Sequence, residues 1–199
     1  LMGRIAANHA LSDLYASGAR PVSALAVVTL PFAGGQLLER ELQQLLAGAL
    51  QEFAAVECVL NGGHTMQGPE LSIGFVVNGV PTDAARGAVA KTAGNPGDAL
   101  VLTKPLGTGA LFAAHMQLRA DGRDVDAAIT AMLQGNAAAA ELAMGLGASA
   151  CTDVTGFGLL GHLREMLGDE LGAKLDLQSL PLLPGVLEQL RAGVRSTMH

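Results

Sequence analysis

The sequence predicts a mixed α/β (α+β) fold, and three observations predict it. Short apolar runs closed by Pro or Gly alternate with longer stretches whose apolar residues recur at helical spacing. Half of the 199 residues are hydrophobic and 15% are charged, the composition of a packed chain and not of a disordered one. The length is enough for one large core or two small ones. Aromatic residues make up 3% with no Trp, so the core is built from Leu, Val and Ala, with close backbone approaches at Gly.

Residues 2–18 place Ile5, Leu11, Leu14 and Tyr15 among alanines, a helix stopped by Gly18 and Pro21. Residues 23–30 (SALAVVTL) are apolar without interruption up to Pro31 and predict a buried strand. Over residues 36–56, Leu38, Leu42, Leu45, Ala49 and Phe53 form a helical stripe, with Glu39, Arg40, Gln43 and Gln51 opposite. A short strand at 58–60 runs into Asn61-Gly-Gly-His-Thr65, and residues 71–80 (LSIGFVVNGV) predict another. Residues 81–98 are rich in Gly, Pro, Thr and Ala and lack periodicity. They mark a linker at 84–97, between an N-terminal domain at 1–83 and a C-terminal α/β domain at 98–199. In the second domain we expect strands at 99–103, 148–152 and 174–177. The helices expected there span about 109–120, 125–146 with an interruption near Gly135, 156–167 and 185–191. No short repeat is present.

A net charge of −6 argues against nucleic acid as a partner, because no basic face is available to displace counterions. An acidic chain that binds polyphosphate has to bring cations with it. No uninterrupted apolar stretch is long enough to span a bilayer, and no basic-then-apolar signal opens the chain, so no membrane association is expected. Cys58 and Cys151 are far apart and show neither CxxC nor zinc spacing; two free thiols in a reducing cytoplasm follow. The chain opens on Leu1 and stops at Met198-His199, and both ends read as cut from a longer protein.

Two aspartates carry the chemistry: Asp13 in Asn8-His-Ala-Leu-Ser-Asp13, and Asp153 in Thr152-Asp-Val-Thr-Gly-Phe-Gly-Leu-Leu-Gly-His162. Each lies where an apolar segment meets a helix-like one. Carboxylates there suit a hard cation and, through it, a phosphate; equally, both can be helix caps. Gly156, Gly158 and Gly161 match the dinucleotide fingerprint, with Asp176 twenty residues after Gly156. Asp153 speaks against it, since a carboxylate beside a pyrophosphate repels it unless a cation lies between. Asn61-Gly-Gly-His-Thr65 is either an anion-binding nest or a tight turn with a surface His. Lys104 belongs to no P-loop, and a solvated lysine at a strand end is its simpler role. His115 reads as structural, and the role of His162 stays open. GxSxG is absent, and neither Cys58 in an apolar strand nor Cys151 beside Asp153 is a good nucleophile.

Taken together, residues 3–21, Asn61-Gly-Gly-His-Thr65, Thr103-Lys-Pro-Leu-Gly-Thr-Gly109 and Thr152–His162 resemble the selenophosphate synthetase (selenide, water dikinase) family. The last motif is the most specific, because relatives in the aminoimidazole ribonucleotide synthetase-like ATP-binding superfamily differ there. The resemblance implies a two-domain architecture, a homodimer, and conversion of ATP, selenide and water to selenophosphate, AMP and orthophosphate. It implies Mg²⁺ held by Asp13 and Asp153, ATP phosphate bound through Asp13, and Gly62, Gly63 and His64 contacting ATP of the partner subunit. The family's catalytic Cys or selenocysteine and its Lys would precede Leu1, so no catalytic nucleophile is expected within these residues, and the piece alone is expected to be inactive. The rival expectations are a related ATP-dependent kinase or synthetase, a silent dimerisation module and, weakest, a dinucleotide oxidoreductase.

Overall fold

A computed structural model describes residues 1–196, which divide into two compact units. The first comprises Leu1–Val89 with Gly135–Ala148; the second comprises Ala90–Gln134 with residues from Ser149 onward. Residues 135–148, assigned from sequence to the C-terminal domain, thus pack with the first unit.

In the first unit, helices α1 (Met2–Ala16) and α2 (Gly35–Ala55) flank strand β1 (Ala19–Pro31), followed by β2 (Val59–Gly68) and β3 (Ser72–Pro81). The sheet order is β2-β1-β3. β1 runs parallel to β2 and antiparallel to β3. A parallel neighbour requires a crossover, which α2 supplies. Burial alternates along β1: Ala24, Ala26, Val28 and Leu30 point into the core, while Leu25 and Val27 are each 43% exposed. The buried strand expected at 23–30 is therefore covered on one face only. Below the inner face, Ala7, Leu11, Tyr15, Ala49, Phe53 and Cys58 form a core cluster, and Phe53 meets Phe75 edge-on with centroids 5.0 Å apart. Gly3 permits the α1–α2 contact, since a Cβ there would lie 1.9 Å from the Leu45 carbonyl oxygen.

The second unit contains α3 (Thr108–Met116), α4 (Gly122–Leu133), α6 (Gly158–Leu167) and α7 (Val186–Arg191); α5 (Ala137–Gly145) belongs to the first. The Ala-rich stretch breaks into α4 and α5 around Gly135, as expected. α4 starts on Asp121, whose side chain accepts from the Arg123 N–H at 2.8 Å. Leu111, Ala128, Leu183 and Val186 form one cluster, and Ala113, Ala114 and Val194 another. The strands expected at 99–103, 148–152 and 174–177 do not form; the one bridge outside the sheet among the described residues joins Leu106 to Leu182. Strands exist by pairing, and an apolar run without a ladder partner remains irregular however strand-like its composition. Met198 and His199 lie outside the described residues.

Candidate functional site

Asp13 is not a helix cap. α1 begins after Leu1 and ends at Ser17, so Asp13 falls in the last turn, where a carboxylate opposes the helix dipole. The placement is unfavourable for the helix and leaves the acid facing outward, exposed. Two other polar residues of the same motif are buried and structural. Ser12 Oγ donates to the Asn8 carbonyl at 2.8 Å, and Asn136 Nδ2, at the start of α5, donates to Ser12 Oγ at 2.9 Å. The motif thus splits by face: Asn8 and Ser12 are buried, Ser12 tying α1 to Asn136, and Asp13 is exposed.

Gly62, Gly63 and His64 lie in neither a nest nor a turn. β2 continues through them to Gly68, paired with β1 across a register shift at Ala24/Leu25. The two glycines make this possible with φ values of 146° and 153°, a region that other residues rarely adopt. At Gly63 a Cβ would come 1.9 Å from the Ala26 carbonyl oxygen, whereas at Gly62 it would meet nothing. Directly paired residues share a sheet face. Gly62 opposite Leu25 and His64 opposite Val27 therefore lie on the exposed apolar face, beside Val76 of β3, which is 55% exposed.

Asp153 is likewise not the cap of α6, whose N-cap is Phe157. It sits in an irregular loop, half-buried, and its Oδ2 is shut off from solvent with no hydrogen-bond partner among the described residues. An ionised oxygen left so is costly unless a cation satisfies it. Mg²⁺ typically takes one or two carboxylates and fills its shell with water and phosphate oxygens, so a lone buried carboxylate oxygen suits it. Among the described residues no three His, Cys, Asp or Glu gather as a metal-holding group. Asp13 belongs to the first unit and Asp153 to the second.

The remaining candidates resolve individually. Lys104 is not a solvated strand-end residue. It is half-buried and donates to the carbonyls of Ala131 (3.3 Å) and Gln134 (2.8 Å) at the end of α4, and burial pushes its ammonium down. His115 is exposed in the last turn of α3. No strand precedes Gly156, and Asp176 caps its own turn through the Gln178 N–H, so the context of a dinucleotide fingerprint is missing. Burial raises the thiols of Cys58 and Cys151, the charge of Asp153 adding to the second, which keeps both protonated at neutral pH. Sequence reasoning missed the pairing of His162 with Thr155: Nε2 lies 3.1 Å from both the Thr155 N and its Oγ1. The seven-residue spacing across a glycine-rich helix start was the available signal.

Comparison with known proteins divides the chain by sequence into two matches, the second of which includes residues 135–148. The model for the N-terminal domain of AIR synthase related protein matches residues 1–81, and that for the C-terminal domain matches residues 95–193. Selenide, water dikinase of Shewanella sp. (strain MR-7) is 42% identical over 194 residues, covering 96% of this chain and 53% of the relative. The chain therefore spans about half the length of the curated relatives it matches. Among solved structures, the hydrogenase maturation protein HypE superposes with a TM-score of 0.80 at 19% identity, covering 98% of this chain and 61% of that one. A structure of HypE in complex with ATP gives 0.73 at 18% identity, over 98% and 58%. At these identities the structural likeness concerns the fold.

Proposed function

The chain belongs to the AIR synthase related protein family, and from that membership we propose that the intact protein converts ATP, selenide and water to selenophosphate, AMP and orthophosphate. The observation that carries the proposal is the buried, unpartnered Oδ2 of Asp153. It stands inside the motif whose resemblance to selenophosphate synthetase is the most specific, in a chain 42% identical to a selenide, water dikinase. The ATP complex of HypE, a protein of like fold, supports ATP as the phosphoryl donor.

Asp13 and Asp153 are the carboxylates that would hold Mg²⁺, and Asp13 would also face the ATP phosphates. When bound, Mg²⁺ supplies the charge neutralisation that phosphoryl transfer depends on. Gly62 and Gly63 leave the edge strand open to close approach, and His64 offers an imidazole beside them. A second copy of the chain is the partner we assign to the exposed sheet face, since Leu25, Val27 and Val76 form an apolar row there and Gly62 and His64 share it. In this proposal residues 1–83 are the ATP-binding and dimerisation domain, 84–97 the linker and 98–199 the second domain, apart from residues 135–148, which pack with the first unit. The free thiols Cys58 and Cys151 suit a reducing cytoplasm.

The test is selenide-dependent AMP formation by the intact protein and by its Asp13→Ala and Asp153→Ala forms. Each substitution should slow turnover by about a hundredfold or more. Undiminished activity in both removes the site assignment. ATP turnover indifferent to selenide points instead to a related ATP-dependent kinase or synthetase, the second reading, which the fold shared with HypE favours.

A further inference from the structure

His162 is 6% exposed on α6, and what it touches decides which of its ring nitrogens is the acceptor. An amide N–H can only donate, so the Thr155 N–H at 3.1 Å requires Nε2 to be an unprotonated acceptor. The neutral ring then carries its hydrogen on Nδ1, which is buried and 3.6 Å from Glu165 Oε2. Glu165 is itself held by Lys91 Nζ at 2.8 Å, and the ring of Phe157 lies tilted over the imidazole with centroids 5.9 Å apart. The imidazole is thus oriented by its neighbours, and its one lone pair grips the backbone two residues beyond Asp153.

The loop from 152 to 158 has two further ties. Thr152 Oγ1 donates to the Asp153 carbonyl at 3.1 Å, and the Gly158 N–H donates to the Thr155 carbonyl at 2.9 Å. None of these bonds uses Oδ2 of Asp153. The loop is fixed at its backbone while Oδ2 is left without a hydrogen-bond partner among the described residues, the arrangement by which outer partners orient a metal ligand.

We propose that His162 is a positioning residue: as the Nδ1–H tautomer it anchors the Thr155 N–H and so holds the Asp153 carboxylate in the orientation that receives a divalent cation. The inference rests on Asp153 being a metal ligand, and the experiment separates the two. Mn²⁺ binding to the intact protein in the presence of ATP is titrated by electron paramagnetic resonance for four variants. His162→Leu, which cannot accept from Thr155, should weaken Mn²⁺ about tenfold. His162→Gln places an amide oxygen where Nε2 stands and should restore most of that loss. Leu163→Ala, a buried packing change at the next position, should lower the melting temperature yet leave Mn²⁺ affinity within about twofold, well short of an outer-partner effect.

Wild-type Mn²⁺ affinity in folded His162→Leu overturns the anchor; so does equal weakening in Leu163→Ala or no recovery in His162→Gln. Asp153→Asn should itself lose Mn²⁺. If it binds like wild type, the metal assignment fails and the anchor with it; if it loses Mn²⁺ while His162→Leu does not, only the anchor fails. Should His162→Leu not fold, the ¹⁵N spectrum of the histidine side chains, with His162→Gln for assignment, decides. An Nδ1–H tautomer supports the anchor, and an Nε2–H tautomer overturns it.

Discussion

At the scale of single residues, neither of the two acids serves as the cap of a helix. Asp13 occupies the negative end of α1, and Asp153 precedes α6 without capping it, so neither is explained by the elements it borders. Glu165 is a carboxylate whose structural partner is Lys91. Its hydrogen bond from Lys91 and the charge of that lysine hold its carboxyl below the ordinary range. A carboxyl whose folded pKa lies below its unfolded one binds fewer protons in the folded state. Its stabilising contribution is therefore present above the unfolded value and disappears as pH falls through the folded one. Urea midpoints of wild type and Lys91→Met, measured from about pH 7 to pH 2, should differ at neutral pH and converge in acid. A gap that persists at the acid end means that Lys91 acts through packing alone. The effect is small because the pair is exposed.

Among the elements, β2 holds the clearest test. Its passage through Gly62 and Gly63 was read from sequence as a loop, because paired glycines ordinarily punctuate. In the sheet they serve a different need: both adopt backbone angles that favour Gly, and Gly63 lies against the Ala26 carbonyl. Gly62→Ala bears conformational strain alone, about 1–3 kcal/mol. Gly63→Ala bears the same strain plus a backbone collision and should lower the urea midpoint further. The reverse order would mean that the β1–β2 register is not the one described. Lys104 teaches a related lesson: a lysine three residues before a glycine turn became the terminus partner of α4, a role set by a helix that begins eighteen residues later.

For the molecule as a whole, the uneven burial of the three-stranded sheet matters most. SALAVVTL is apolar on both of its faces, whereas the first unit covers one and leaves Leu25, Val27 and Val76 open. A strand that invests in apolar side chains on an uncovered face is built for a partner surface. Sedimentation of the intact protein should show a dimer, and Leu25→Glu with Val27→Glu should give a monomer of unchanged far-ultraviolet circular dichroism. A double variant that sediments like wild type would exclude this face as the interface.

The order of the ten elements' neighbourhoods was largely legible because periodicity and stop residues act locally: the stripe of α2, the Pro-closed run of β1 and the break at Gly135 need only their own residues. Asp13 and Asp153 stood out on the same terms, as carboxylates among small and hydroxyl groups. What no local pattern contained was pairing and burial. Whether 99–103, 148–152 and 174–177 find a ladder, which unit residues 135–148 join and which face of β1 is covered are all set by residues distant in the chain. Those outcomes depend on contacts between segments, and only the tertiary structure brings such segments together.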